Sequence, residues 1–416
     1  MNKILELIKN EKVEWKKLWE ITIWDKKFNG IEKYKQEKTI KYHYYLASEL
    51  DKIISKNGNV KILTTNICNL YTEEKYVKDT MSNGEVICIP WGGNPIIQYY
   101  NGKFVTSDNR IAVSNSKETL NMKYLYYYLL DKLNVISSFY RGSGIKHPDM
   151  KKVLDLEIPI PSLETQEKIV HILDNFTNYV DELSAELSAR NSQYEYYRNM
   201  LLSDEYLKSK SINNNVNIID EKIKWKNLGD VCEIKRGIRI TKKELISNGN
   251  YPVVSGGVEP MGYFNKWNRN ENTITIAQYG LAGFVNWQTE KFWANDVCYS
   301  LFPNEEIIDK FLFYLLKCKQ NYIYSISNRT AIPYSINIEN ILNLEIAIPS
   351  LNIQNQIVKI LDKFSELAED TKGLLPKEIE QRQKQYEYYR EKLLSFGNEN
   401  NIGRERERER ERERNN

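Results

Sequence analysis

Residues 156–176 read LEIPIPSLETQEKIVHILDNF, and residues 344–364 read LEIAIPSLNIQNQIVKILDKF. A second echo, QYEYYR, falls at 193–198 and again at 385–390. Each half also opens alike, on Trp15-Lys16-Lys17-Leu18 and on Trp225-Lys226-Asn227-Leu228. Self-similarity of this kind marks a repeated structural unit, so the chain is expected to carry two similar surfaces on one scaffold. With 416 residues, 41% of them hydrophobic, it is long enough for two or three cores.

The repeats divide the sequence into a first globular region (1–155), a repeated segment (156–202), a polar Asn-rich linker (203–222), a second globular region (223–343), a second repeated segment (344–396) and a tail (397–416). In the first region Val86–Ile89 and Phe104–Thr106 read as strands, with turns at Trp91-Gly92-Gly93-Asn94-Pro95 and Asn101-Gly102. Tyr124–Leu130 reads as a helix. The second region offers the same parts: a strand at Thr273–Ile276, a turn at Gly280–Gly283 and a helix at Phe311–Leu316. Lys103-Phe104, Asp108 and Arg141 recur as Lys291-Phe292, Asp296 and Arg329 at the offset of the long repeat. Both regions are therefore expected to share a mixed α+β fold, a common frame with different contents.

The repeated segments read as long helices. Apolar and aromatic positions run Ile169, Leu173, Phe176, Val180, Leu183 and Leu187, then Tyr194, Tyr197 and Leu201, in the alternating steps of a coiled-coil seam. The second copy runs Ile357, Leu361, Phe364, Ala368, Thr371 and Leu375, takes an extra four-residue step to Ile379, and resumes through Tyr386, Tyr389 and Leu393. That step is a stutter. Gly373 and Pro376 beside it predict a kink or break. Two readings stand: an antiparallel pair of helices, or amphipathic helices packed on their own globular regions. At ~1.5 Å per residue, a helix of about 40 residues spans ~60 Å and would act as a spacer. Residues 203–222 read as a flexible linker. The tail alternates Arg and Glu from Arg404 to Arg414, which is what an (AG)n tract encodes, and with no apolar face it reads as disordered.

Composition narrows the class further. No apolar run approaches the ~18–20 residues of a membrane span, and Met1-Asn2-Lys3 opens no signal peptide, so a cytoplasmic location is expected. Cys68, Cys88, Cys232, Cys298 and Cys318 never fall in a CxxC spacing and read as reduced thiols; with three histidines no metal site is expected. Phosphate loops, dinucleotide fingerprints, GxSxG elbows and the tetrapeptide of amino-methyltransferases are all missing. The pattern is that of a chain that binds and positions, with no catalytic residues.

Duplex DNA is the leading ligand. Net charge is only +3, so an anion-binding surface must come from local clustering. Ile234 to Lys243 interleaves Lys235, Arg236 and Arg239 with isoleucines; this suits phosphate or guanine contact, and equally a strand with a solvated basic edge. Tyr140 to His147 is a Gly-punctuated basic loop carrying Arg141 and Lys146, and Asn328–Ile332, with Arg329, is its counterpart. For both arginines DNA contact competes with a structural ion pair. Trp91, Gln278, Tyr279 and Asn295 are further candidates for base-edge or stacking contacts.

Ile158-Pro159-Ile160-Pro161-Ser162-Leu163-Glu164-Thr165-Gln166, followed by Ile169 and repeated from Ile346 to Gln354 with Ile357, resembles the segment that closes each target-recognition domain in specificity subunits of type I restriction–modification systems. Glu378 to Arg390 resembles that family's C-terminal helix. The resemblance covers all but the Arg-Glu tail. It implies an α+β fold of two tandem target-recognition domains separated by two long antiparallel coiled-coil helices. It further implies a non-catalytic subunit that reads a split site in double-stranded DNA. Two modification subunits, which methylate adenine with S-adenosylmethionine bound to themselves, would dock on helices marked by Ile169, Leu173, Phe176, Tyr194, Tyr197, Ile357, Leu361, Phe364, Tyr386 and Tyr389. In the family a restriction subunit joins to cut DNA. The family's base-contacting residues do not carry over, because its recognition domains vary there. Two rivals stay open: an autonomous DNA-modifying enzyme with diverged motifs, and a coiled-coil assembly protein.

Overall fold

The opening and closing phrases of each repeat are partners in space. Strand Glu14–Lys17 pairs antiparallel with Glu157–Ile160, Trp15 opposite Pro159. Lys224–Asn227 pairs in the same way with Glu345–Ile348, Trp225 opposite Ala347. Each ribbon fastens the two ends of a globular region together, and Leu18 and Leu228 donate their backbone N–H groups to Leu156 and Leu344 at its end. Residues 156–160 thus belong to the first globular region rather than to the helix that follows. These features are seen in a computed structural model that describes residues 2–9, 11–212, 223–330 and 332–396.

Two compact units result, one of Met1–Leu183 with Glu378–Asn416 and the other of Ser184–Lys377. The tandem boundaries expected from the repeats are corrected on this point, because each long helix, Leu163–Leu201 and Leu351–Leu394, contributes one end to each unit.

In the first unit six strands lie in the spatial order Thr22–Trp24, Asn109–Ser114, Ser82–Pro90, Gln98–Thr106, Val60–Leu63 and Tyr71–Thr72. The second unit repeats the first four places with Cys232–Arg236, Cys298–Pro303, Thr273–Ala277 and Val285–Gln288. It then departs, forming a separate three-stranded sheet of Tyr263–Phe264, Tyr251–Val254 and Trp293–Ala294. The frame is shared and the contents differ. Helices Met122–Asp131 and Asp309–Cys318 stand where their apolar patterns put them, with Tyr124 and Phe311 fully buried. Asn101-Gly102 is not a turn. It lies inside strand Gln98–Thr106, with Gly102 opposite Gly84 in a ladder that runs from Ser82 to Cys88; that pairing overrides the local turn preference.

Gln166 and Gln354, the last residues of the repeated phrase, are completely buried. Gln166 Nε2 donates to the carbonyls of Thr119 (2.9 Å) and Pro161 (3.0 Å), and its Oε1 accepts from Asn121 N (2.8 Å). Gln354 Nε2 donates to Glu306 O (3.0 Å) and Pro349 O (2.9 Å), and its Oε1 accepts from Ile308 N (2.8 Å). Asn121 and Ile308 are the N-cap residues of Met122–Asp131 and Asp309–Cys318. One amide side chain therefore locks the start of each long helix to the start of the helix packed on the sheet, satisfying backbone groups that burial would otherwise orphan.

Both readings of the long helices hold. Ile169 and Leu173 share a core with Leu125, Leu129 and Ile158 of the first globular region, and with Tyr386, Tyr389 and Leu393. Phe176 stacks on Tyr389 (5.3 Å), while Tyr179 Oη donates to Glu378 (3.2 Å), so rising numbers meet falling ones and the helices run antiparallel. In the second unit Leu201 shares the core of Ile357 and Leu361, and Tyr197 stacks on Phe364 at 4.8 Å. The helix runs through Gly373 and Pro376 without the break that was one of the two expectations there. Its two ends are each anchored in a core, which outweighs the one ladder bond a proline removes. The seam side chains Ala368 and Thr371 lie outside the described residues. The first part of the expected linker is also structured: Asp204–Ile212 is a helix whose Leu207 is fully buried in the second unit's core. Residues 213–222 and the Arg-Glu tail lie outside the described residues.

Candidate nucleic-acid interface

In the first unit the strands Thr22–Trp24 and Ser82–Pro90 run parallel to one another on either side of Asn109–Ser114, so their C-terminal ends emerge together. Asp25 and Arg110 close that end. Asp25 Oδ2 accepts from Arg110 Nη1 (2.7 Å) and Tyr44 Oη (2.7 Å), and its Oδ1 accepts from Ile111 N (2.8 Å). Burial, and then the Asp25 charge, push the Tyr44 phenol well up. The Arg110 guanidinium in turn lies against the Trp91 ring at 5.0 Å, with Lys26 Nζ over that ring at 4.8 Å. Partial burial and the Arg110 charge lower the Lys26 ammonium.

The two sequence-predicted loops meet at Trp91. His147 Nδ1 contacts Trp91 O at 2.7 Å, and Gly93 N donates to Lys146 O at 3.0 Å. Arg141 pairs with His147 in a short antiparallel bridge, and Arg141 and Lys146 both stand exposed. A cleft of about 440 Å³ lies beside them, lined by Lys26, Lys27, Trp91 and Lys151 among others. The surface thus combines an aromatic face with cations, of which Arg110 is paired to Asp25 and Asp108 and Lys151 to Glu32, while Arg141 and Lys146 stand exposed and suited to a polyanion.

The second unit assembles the same kind of edge from different residues. Arg236, the last residue of its strand, donates from Nε to Asp296 O at 2.5 Å. Gln278 N bonds to Val297 O and Gln278 O to Ile336 N, while Gly280 N donates to Tyr334 O. Tyr279 forms a bridge to Ser335. Arg329 packs between Tyr324 (4.9 Å) and Tyr334 (5.2 Å) and donates Nε to Tyr324 O (3.2 Å), leaving its terminal nitrogens without a partner among the described residues. Gln278, Tyr279 and Arg329 are therefore brought together, next to Arg236. Lys235 is exposed, 2.9 Å from Glu233, and Arg239 is exposed. Gly237 makes the chain crossing here possible, since a Cβ at that position would stand 2.1 Å from Asn295 O.

The architecture has known counterparts. A family model described as "Type I restriction modification DNA specificity domain" matches residues 27–190 and 220–381. The chain belongs to the type I restriction–modification specificity family. A putative type I restriction enzyme specificity subunit of Haemophilus influenzae is 32% identical over 352 residues, 78% of this chain and 86% of that protein. The Escherichia coli EcoR124I/EcoR124II specificity subunit is 29% identical over 331 residues, 71% of this chain and 76% of that one. The fold matches the crystal structure of the S subunit of a type I system from M. genitalium with a TM-score of 0.64, at 17% identity, over 93% of this chain and 97% of that one. Specificity subunits are the non-catalytic, DNA-recognising components of these systems.

Within this specificity subunit, two groups of the expected residues lie inside the fold. Asn295 is buried, 5% exposed, and its side chain is spent on the fold: Oδ1 accepts from Ile240 N (3.0 Å) and Asp296 N (2.9 Å), and Nδ2 donates to Ile240 O (3.3 Å). It fixes the backbone of the basic segment at Ile240. The helix positions Ile169, Leu173, Ile357, Leu361, Tyr386 and Tyr389 are likewise buried within their own units, and Phe176, Tyr194, Tyr197 and Phe364 are half-buried. At the six buried positions the hydrophobic seam is covered by the chain itself.

The sequence reading missed Lys26 and Arg110, which lie far from Trp91 in sequence. The available signal was Lys26-Lys27 just past the first sheet strand, echoing Lys235-Arg236 at the end of its counterpart. Replacing Arg141 or Lys146 by alanine is expected to lower the slope of log K against log salt by about 1 each for DNA binding, the loss of one phosphate contact. Titrations of the variants at several salt concentrations measure it, and an unchanged slope removes that residue from the interface.

Proposed function

We propose that this specificity subunit reads a bipartite site in double-stranded DNA, one half-site per unit, and docks modification subunits that methylate adenine within it. The observation that carries the reading is a matched frame with unmatched edges. Ribbon, buried glutamine and four-strand order recur in both units, while the edge holds Trp91, Arg141 and Lys146 in one and Arg236, Gln278, Tyr279 and Arg329 in the other. A duplicated scaffold whose exposed edges differ suits two different half-sites.

In this reading the chain itself holds no cofactor, and S-adenosylmethionine is bound by two methyltransferase partners. A restriction subunit joins the same assembly to cut DNA. The work belongs to the cytoplasm, where chromosomal DNA lies; among the described residues no helix is long and apolar enough to cross a membrane. A base-modification map of DNA from cells co-expressing the chain with its methyltransferase tests the proposal. A split adenine-methylated motif that vanishes when the chain is omitted is the expected result. A motif that persists without the chain, or a continuous one, overturns it.

A further inference from the structure

Each recognition edge carries an isoleucine that the fold pushes into solvent. Ile332 is 94% exposed and Ile145 70% exposed. They follow Arg329 and Arg141 by three and four residues in counterpart loops. Leaving a large aliphatic side chain in water forgoes burial that a nearby core would provide, and a single instance needs no explanation. Recurrence in the counterpart loops of two units with otherwise different edges, one position apart in the repeat register, does.

Ile145 is carried on a built turn, and the loop of Ile332 is fixed at its base. The Gly142–Ile145 turn is tight: Gly142 has φ +146°, and a Cβ there would stand 2.6 Å from Ile145 O. Ile145 is propped from below, since a Cβ on Gly92 would come within 2.9 Å of its Cγ2. In the second unit Asn328 and Ser335 exchange two backbone hydrogen bonds (2.7 and 3.0 Å) that close the base of the loop carrying Ile332. Arg329, at that base, is held between two tyrosine rings. A β-branched side chain adds its own stiffness at χ1.

We propose that Ile145 and Ile332 are specificity-determining residues that contact the C5-methyl group of a thymine in the major groove, one in each half-site. This rests on the reading that each unit binds one half of a duplex site. Arg141 and Lys146 flank Ile145 in sequence and Arg329 precedes Ile332, which suits an anionic surface such as the DNA backbone beside each isoleucine. On a groove edge of DNA the apolar group on offer is the thymine methyl, displayed only in the major groove. The arginines hold the backbone or a guanine, and the isoleucine distinguishes thymine from cytosine at the adjacent pair.

Deoxyuridine tests this, because it pairs as thymine does but lacks the methyl. The full chain, assembled with its methyltransferase, is titrated with duplexes carrying the mapped site and with duplexes in which each half-site thymine in turn is replaced by deoxyuridine. One thymine per half-site is expected to show a loss of about fourfold, the value of one buried methyl group. Ile145→Ala should bring the thymine/deoxyuridine ratio to about one in one half-site only, and Ile332→Ala in the other only. Ile→Val variants should keep most of the ratio, which separates the contact from a folding defect. A wild-type assembly indifferent to deoxyuridine, a ratio that survives both alanine variants, or half-sites without an A·T pair overturns the proposal while site-specific binding persists. Duplexes bent by the wild type and straightened by the variants, with the ratio unchanged, overturn it in favour of an apolar wedge between base steps. Failure to bind the mapped site at all would instead strike the bipartite reading beneath it.

Discussion

Asp25→Ala is expected to destabilise the first unit by about 3–5 kcal/mol and to abolish recognition of one half-site while leaving the other. The side chain is 0% exposed and is the buried counter-charge of Arg110, whose other ion-pair partner, Asp108, is largely exposed. Removing it strands a buried guanidinium and leaves Ile111 N and Tyr44 Oη without their acceptor. The cost of an uncompensated buried charge exceeds that of the lost contact itself. Urea unfolding of the full chain, followed by probes in each unit, measures the effect. The second unit's transition should not move.

The double variant Asp25→Ala with Arg110→Met should recover a large part of the loss, because a buried ion pair replaced by apolar groups is often near neutral. Stability should return in the double variant without half-site recognition, since Trp91 then lacks the guanidinium packed at 5.0 Å from its ring. A loss under about 1 kcal/mol for Asp25→Ala would show that Arg110 reaches water or Asp108 easily, and would remove the ion pair as the support of this edge.

Legibility followed the range of the interactions. The duplication, the long helices and the helices at Tyr124–Leu130 and Phe311–Leu316 were readable because periodic burial leaves a local trace. The ribbon joining Trp15 to Pro159 was readable only as two phrases that recur together, since strand pairing across so many residues has no local signature. Asn101-Gly102 was misread because a local turn preference was overridden by a ladder partner, Gly84, that sequence does not point to. The interface was half legible. Exposed loop cations such as Arg141, Lys146 and Arg329 announce themselves by composition. Whether a polar side chain faces DNA or the fold depends on its neighbours, and for that reason Asn295 was placed at the surface while Lys26 and Arg110 were overlooked. The helix seam was identified correctly as apolar, but apolarity does not say whether a partner or the chain itself covers it.

The phrase that recurs most faithfully has a physical reason to do so, and its removal is expected to be as damaging as that of the ion pair. Gln354→Ala should destabilise the second unit by about 3 kcal/mol, and Gln166→Ala the first by a similar amount, because each leaves one buried carbonyl and a part-buried carbonyl and N–H without their partner. Gln354→Met restores the volume but none of the hydrogen bonds, so it should be nearly as unstable as the alanine variant. A methionine variant that recovers most of the stability would show that packing, and not the amide, is what the site requires. The effect should be confined to the unit that carries the change, giving one shifted transition in urea unfolding and one failing half-site in a modification map. Because the amide fixes the start of a long helix against the helix packed on its sheet, a variant that still folds should loosen that angle. Recognition of its half-site should then fall at every base together, in contrast to the single-base losses expected from Ile145 and Ile332.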